Sequence, residues 1–175
     1  MESANHNTDW VIQFYADMVY RIAYVYCQNK SDSEDIVQEV FMRYIQSIPL
    51  FESEEHRKAW IIRVAVNCCK NLVASSWKRK VSLMAVDIDH RKFHMIPNKS
   101  GNDEVYNAIA KLKKMDRILI HLFYYEEYST DEIAKMLNLK VSAVKTRLFR
   151  TRKKLKDILE GEGLYETNEI PTSNG

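Results

Sequence analysis

Four glycines and three prolines in 175 residues are too few for a sandwich or barrel of many short strands and tight turns. With abundant Leu, Ile, Lys and Glu, that scarcity points to an all-α fold of helices joined by short connections. The three cysteines, Cys27, Cys68 and Cys69, are odd in number, two of them are adjacent, and none has a CxxC spacing. They read as buried or idle thiols of a reducing cytoplasm rather than as a disulfide framework or zinc site. No basic start followed by an apolar run opens the chain at MESANHNTDW. The longest apolar stretch, residues 59–69, is broken by Arg63 and Asn67, so neither a signal peptide nor a spanning helix is expected. A Gly-rich phosphate loop, a GxSxG elbow and a Cys–His nucleophile motif are all missing, which leaves enzymatic chemistry, catalytic residues and cofactors little to stand on.

What the chain does have is a charge pattern hidden by its net +2. Residues 1–60 carry 5 Lys/Arg against 10 Asp/Glu, whereas residues 140–160 carry 8 against 2. A second basic stretch occupies 61–103, with 8 against 3. Two modules, each with a basic end, are the simplest reading.

Helical periodicity supports that division. Val11, Phe14, Tyr15, Met18, Val19 and Ile22 predict a first helix over about 9–28. A possible capping box, Ser31 and Glu34, opens a second, whose stripe is Ile36, Val37, Val40, Phe41, Tyr44, Ile45 and Ile48 and which Pro49 stops. A third runs from about 54 into the seventies. Its centre, AWIIRVAVNCC, is apolar nearly all round, and it leaves the core as KNLVASSWKRK. Residues 81–102 lack a sustained period and read as a linker between a domain at 9–80 and one at 103–160, followed by an acidic tail at 161–175.

In the second domain, Val105, Ile109, Leu112, Met115, Leu119, Leu122 and Phe123 describe a helix or a pair of helices. Thr130-Asp131-Glu132 opens a short helix that turns Ile133, Ala134 and Leu137 inward; Asn138 can close it as a left-handed cap, and Ser142 can open the next. The stretch LKVSAVKTRLFRTRKKLK then places eight Lys or Arg among eighteen residues. With Val144, Leu148, Thr151 (or Arg152) and Leu155 buried, small residues come first and cations follow. A helix entering the major groove needs that order, because its first turn must approach closely while flanking cations neutralise phosphates. A short helix, a turn and a basic helix make helix-turn-helix geometry.

The polar face Asp35, Gln38, Glu39, Met42 and Arg43 could give an enzyme two carboxylates, but taken alone it reads as a solvated surface. Its carboxylates have no neighbouring His in sequence for acid–base work. His90 and His94, with Asp87 and Asp89, fall in the aperiodic linker and lack a second ligand pair, so no metal is expected.

In this order, the motifs resemble an RNA polymerase sigma factor of the sigma-70 superfamily, in the short two-domain extracytoplasmic-function (ECF) group. SDSEDIVQEVFMRYIQ and AWIIRVAVNCCKNLVASSWKRK are similar to the family's region 2, and YSTDEIAKMLNLKVSAVKTRLFRTRKKL to its region 4. The resemblance implies that Asp35, Gln38, Glu39 and Met42 bind core RNA polymerase. It implies that Asn67, Lys70, Asn71, Trp77, Lys78 and Arg79 lie along the minus-10 element, and that the loop at 50–55 captures a flipped base. Ser142, Ala143, Lys145, Thr146, Arg147 and Arg150 would lie on the minus-35 element. It further implies a cytoplasmic protein that is not an enzyme, whose partners are core polymerase, promoter DNA and an anti-sigma factor. Two alternatives stand beside it: a helix-turn-helix regulator with an amino-terminal sensing or dimerisation domain, and a helical metalloenzyme using Asp35, Glu39 and a His.

Overall fold

The structure, a computed structural model, describes residues 8–47, 49–75 and 103–161. Among these residues it has seven helices and no strand: α1 (Thr8–Cys27), α2 (Lys30–Ser47), α3 (Glu54–Ser75), α4 (Asp103–Ala110), α5 (Lys114–Tyr124), α6 (Thr130–Leu137) and α7 (Val141–Gly161). The linker at 81–102, the tail from 162 on, and with them Trp77, Lys78, Arg79, His90 and His94, lie outside the described residues.

α1 to α3 pack on one another around Val11, Val19, Ile22, Ile36, Val37, Val40, Phe41, Ile61, Ile62, Ala65, Val66 and Cys69, all essentially fully buried. Each large aliphatic side chain removed from water in this way contributes about 1.5–3 kcal/mol, which outweighs the modest helical propensity of the β-branched Val and Ile residues. Phe14 and Ile45, expected on the buried stripes, are 60% and 41% exposed. Phe14 instead stacks on Trp10 with centroids 4.7 Å apart.

The helix starts and stops follow local hydrogen-bond demand. Gln28 ends α1 in the left-handed region (φ 54°), its N–H donating to Tyr24 O at 2.8 Å. The predicted Ser31–Glu34 box does not form, because α2 starts at Lys30 and Ser31 is already inside the helix. Asn29 supplies the cap: its Oδ1 accepts from Asp32 N at 3.0 Å, and Ser33 Oγ donates back to Asn29 O at 2.6 Å. Ser53 caps α3 by accepting from His56 N at 3.1 Å.

α4 and α5 are separate helices, joined by the turn 111–113, and their core residues are Ala108, Leu112, Ile118, Leu119 and Leu122. A full capping box forms at Ser129 and Glu132, one residue before the predicted opening. Asn138 closes α6 in the left-handed conformation (φ 53°, ψ 50°), as its short polar side chain favours. α7 begins at Val141 rather than Ser142, with Ala143 N and Val144 N donating to Lys140 O. The two modules touch: α1 packs against α5 and α3 against α6.

Candidate nucleic-acid interface

α7 is held by its buried side. Val144, Leu148 and Thr151 are 0%, 1% and 3% exposed against the buried Ile133, Ala134 and Met136 of α6, with α5 behind both. Leu155 is half-buried and Arg152 exposed, so Thr151 is the inward residue of that pair. Because α6 is capped at both ends and the turn 138–140 is only a few residues long, the angle between α6 and α7 is set locally. The opposite face presents Ser142, Ala143, Lys145, Thr146 and Arg150, all exposed. Arg147, from the same set, is half-buried, and its Nε donates to Asp116 Oδ1 of α5 at 2.5 Å. The carboxylate fixes this guanidinium at the margin of the face. Asp116 was not singled out in the sequence analysis, because no local pattern relates it to a residue 31 positions on.

On α3 the exposed residues Asn67, Lys70 and Asn71 line up at helical spacing, and Arg63 extends the row by one turn. Arg63 was missed as a member of that row, although its i, i+4, i+7 relation to Asn67 and Lys70 was readable. Amide and ammonium groups on one face can pair with base edges and phosphates.

Between α2 and α3, the loop at 50–53 carries two hydrophobic residues in opposite situations. Leu50 is 88% exposed, while Phe51 turns inward, stacks on Tyr44 (6.1 Å) and meets Trp60 (5.9 Å) and His56 (5.5 Å) edge to face, with the Arg57 guanidinium 5.4 Å from its ring centre. Ring packing anchors the loop while its tip is open to solvent. Arg57 is 1% exposed and donates to Glu54 Oε2 at 2.7 Å, and Tyr15 Oη donates to the other oxygen of that carboxylate. The Tyr15 hydroxyl is accordingly pushed well above the usual phenol range by burial and by that carboxylate.

Asp35, Gln38 and Met42 are half-buried and Glu39 is exposed, with Arg43 Nε donating to Glu39 Oε1 at 2.7 Å. The structure thus brings Asp35, Gln38, Glu39 and Met42 together on one surface, Asn67, Lys70 and Asn71 on a second, and Ser142 to Arg150 on a third. Among the described residues there is no group of three or more His, Cys, Asp or Glu placed to hold a metal ion. No described helix is long and apolar enough to cross a membrane. Cys68 and Cys69 are buried, and burial pushes the Cys68 thiol up to about 11.

Comparison with known proteins adds a second line. Residues 11–79 match the model of Sigma-70 region 2, and residues 102–155 that of Sigma-70 region 4. The ECF RNA polymerase sigma factor SigE of Mycolicibacterium smegmatis is 27% identical over 90% of this chain, which spans 63% of that longer relative. RNA polymerase sigma factor SigV of Bacillus subtilis is 27% identical over 83% of this chain and 86% of its own. The fold is similar to that of the sigma factor RpoE in complex with the anti-sigma factor NepR from Bartonella quintana (TM-score 0.67, 19% identity, 87% of this chain and 96% of the other). Helices that carry the two family regions in chain order, over most of the sequence, place this chain in the sigma-70 family of RNA polymerase sigma factors, among the ECF sigma factors.

Proposed function

We infer that the chain directs core RNA polymerase to promoters: α2 docks on the polymerase through Asp35, Gln38, Glu39 and Met42, while α3 and α7 read the minus-10 and minus-35 elements. The observation that carries this reading is the presence, in one chain and in family order, of two helices with exposed polar and cationic rows. Asn67, Lys70 and Asn71 serve the first, continued in sequence by Trp77, Lys78 and Arg79. Ser142, Ala143, Lys145, Thr146, Arg147 and Arg150 serve the second. The domains run over 9–80 and 103–160.

The protein then needs no active site of its own. It offers both promoter elements a fixed register on the polymerase, and it favours opening by giving unpaired bases a better partner than restacking. Extruding a base costs a few kcal/mol, which stacking and pocket contacts at the loop 50–55 offset. Every Lys or Arg on a phosphate displaces condensed cations, so DNA binding falls steeply with salt. A protein of this kind works in the cytoplasm, where its polymerase and DNA are. An anti-sigma partner is proposed because the similar RpoE structure contains one.

The test is reconstitution. Added to purified core polymerase, the protein should confer initiation from promoters taken from transcripts induced on its overexpression. A helix-turn-helix regulator would bind DNA and leave core polymerase without promoter-specific initiation, and that result would overturn the reading.

A further inference from the structure

Among the described residues, the bulkiest side chain that the fold buries completely is a charged one, Arg57 of α3. Taking a guanidinium out of water costs free energy unless partners replace the water, and a Met or Leu would fill the same space without that cost. The use of the charge therefore lies in what it holds.

What it holds is the loop between α2 and α3. Arg57 Nη1 donates to Glu54 Oε2 at 2.7 Å, and the guanidinium carbon lies over the Phe51 ring, 5.4 Å from its centre. Its backbone N–H donates to Ser53 O at 3.1 Å. Phe51 also meets Tyr44 of α2 and Trp60 and His56 of α3, and the Tyr44 and Trp60 rings themselves pack edge to face at 5.9 Å. Tyr15 Oη of α1, a side chain 2% exposed, donates to the other oxygen of Glu54. Residues 51, 53 and 54 are thus tied to all three helices of the module, whereas the side chains of Leu50 and Glu52 stay exposed. A planar guanidinium can offer its face to a ring and its N–H edge to a carboxylate at once; an ammonium, a point charge, serves both less well. The pairing has an electrostatic side too. Glu52 and Glu55 already expose negative charge at the loop, and Arg57 keeps Glu54 from adding to it beside an anionic strand.

We propose that Arg57 is a positioning residue for promoter opening. Without touching DNA, it holds Phe51 and Glu54 so that the loop 50–53 keeps one shape, with Leu50 and the adjacent backbone presented to a base that leaves the stack. Extruding a base is costly and its capture must offset the cost. A loop that wanders among several shapes is competent only part of the time, and opening falls in proportion to that fraction.

This role rests on the sigma-factor reading, and the experiment separates the two. Holoenzyme is assembled from the full chain and core polymerase, and initiation is measured at saturating protein from a duplex promoter and from the same promoter with its minus-10 segment already unpaired by mismatches. The duplex-to-unpaired ratio reads opening alone, because a loss of folded protein or of minus-35 binding lowers both templates together. Arg57→Met, which keeps the buried volume, should lower that ratio about tenfold, as a loop competent about a tenth of the time would. The Glu54 side chain is 35% exposed, so water can replace the lost cation there. Arg57→Lys, which keeps the charge without the planar fork, should lower the ratio by less. Phe51→Leu, at a half-buried position, should shift it the same way and covers the case in which the Arg57 variants do not fold. A parental ratio in folded Arg57→Met, or in Phe51→Leu where the Arg57 variants do not fold, would overturn the proposal and leave Arg57 a packing residue, whatever stability is lost. If the parent initiates from neither template, the sigma-factor reading falls and this role of Arg57 falls with it.

Discussion

The two helices assigned to DNA differ in how their exposed rows are produced. α7 belongs to a locally defined unit: α6, its capping box, the left-handed Asn138 and the stripe Val144–Leu148–Thr151 determine which side faces out. α3 is the central helix of its module, apolar over much of its circumference, and its row of Arg63, Asn67, Lys70 and Asn71 is what neither α1, α2 nor the core covers. A recognition surface can therefore be specified by a motif or left over by packing. The first is readable in the local pattern, whereas the second entered the sequence analysis only through the family resemblance.

The largest expected effect breaks the local unit. Leu148→Ala removes a side chain that is 1% exposed and should cost about 2–5 kcal/mol in denaturant unfolding of the full chain, with minus-35 binding lost alongside. Asn67→Ala, on the row left over by packing, should move stability by less than about 0.5 kcal/mol while weakening minus-10 complexes.

A change of binding function without loss of fold comes next. Arg150→Ala should weaken minus-35 DNA by about 1–3 kcal/mol if it meets a base, or lower the salt slope by about one if it meets a phosphate, leaving polymerase binding intact. Glu39→Lys should do the reverse, losing polymerase binding and keeping DNA binding. Equal loss of both functions in both variants would defeat this division of labour. Arg147→Ala is a less clean probe, because it also strips Asp116 of its partner.

Smaller again is the cap. Ser129→Ala removes the side chain that accepts from Glu132 N, and should cost about 1 kcal/mol of stability. The reduced helicity should concentrate at α6, which hydrogen exchange can localise.

The mildest effect concerns the contact between modules. Burial alone would raise the Glu126 pKa, but His121, 3.5 Å away, and the Lys58 and Arg21 cations outweigh it and hold the carboxyl at about 2, below the ordinary 4.5. A carboxyl depressed in the native state contributes stability that is present above its ordinary pKa and lost as pH falls toward the native value. In acid titrations followed by circular dichroism and scattering, Glu126→Gln should therefore remove a portion of the stability loss between about pH 4.5 and 2 that the parent shows.

Sequence periodicity was enough for the all-helical architecture, the inward residues of α7 and the left-handed Asn138, because these depend on neighbours within about four positions. The same locality explains the smaller misses. Asn29 displaced Ser31 as the α2 cap since both are good caps and the choice depended on where the helix met α1; Phe14 and Ile45 left the stripes because apolar residues also cover surface when nothing packs over them.

What the chain alone determined is thus its set of helices, the helix-turn-helix and the residue types available on each polar face. Tertiary structure decided which cations remain on those faces and which are drawn to acceptors elsewhere: Arg147 to Asp116, Arg63 to α6, Arg117 to the end of α1, and Arg21 and Lys58 to Glu126. These partners lie between 31 and 105 positions apart, beyond the reach of any helical period. The physical reason is that a buried charge or an open helix end must find a partner in space, and sequence spacing does not reveal which distant group will supply it.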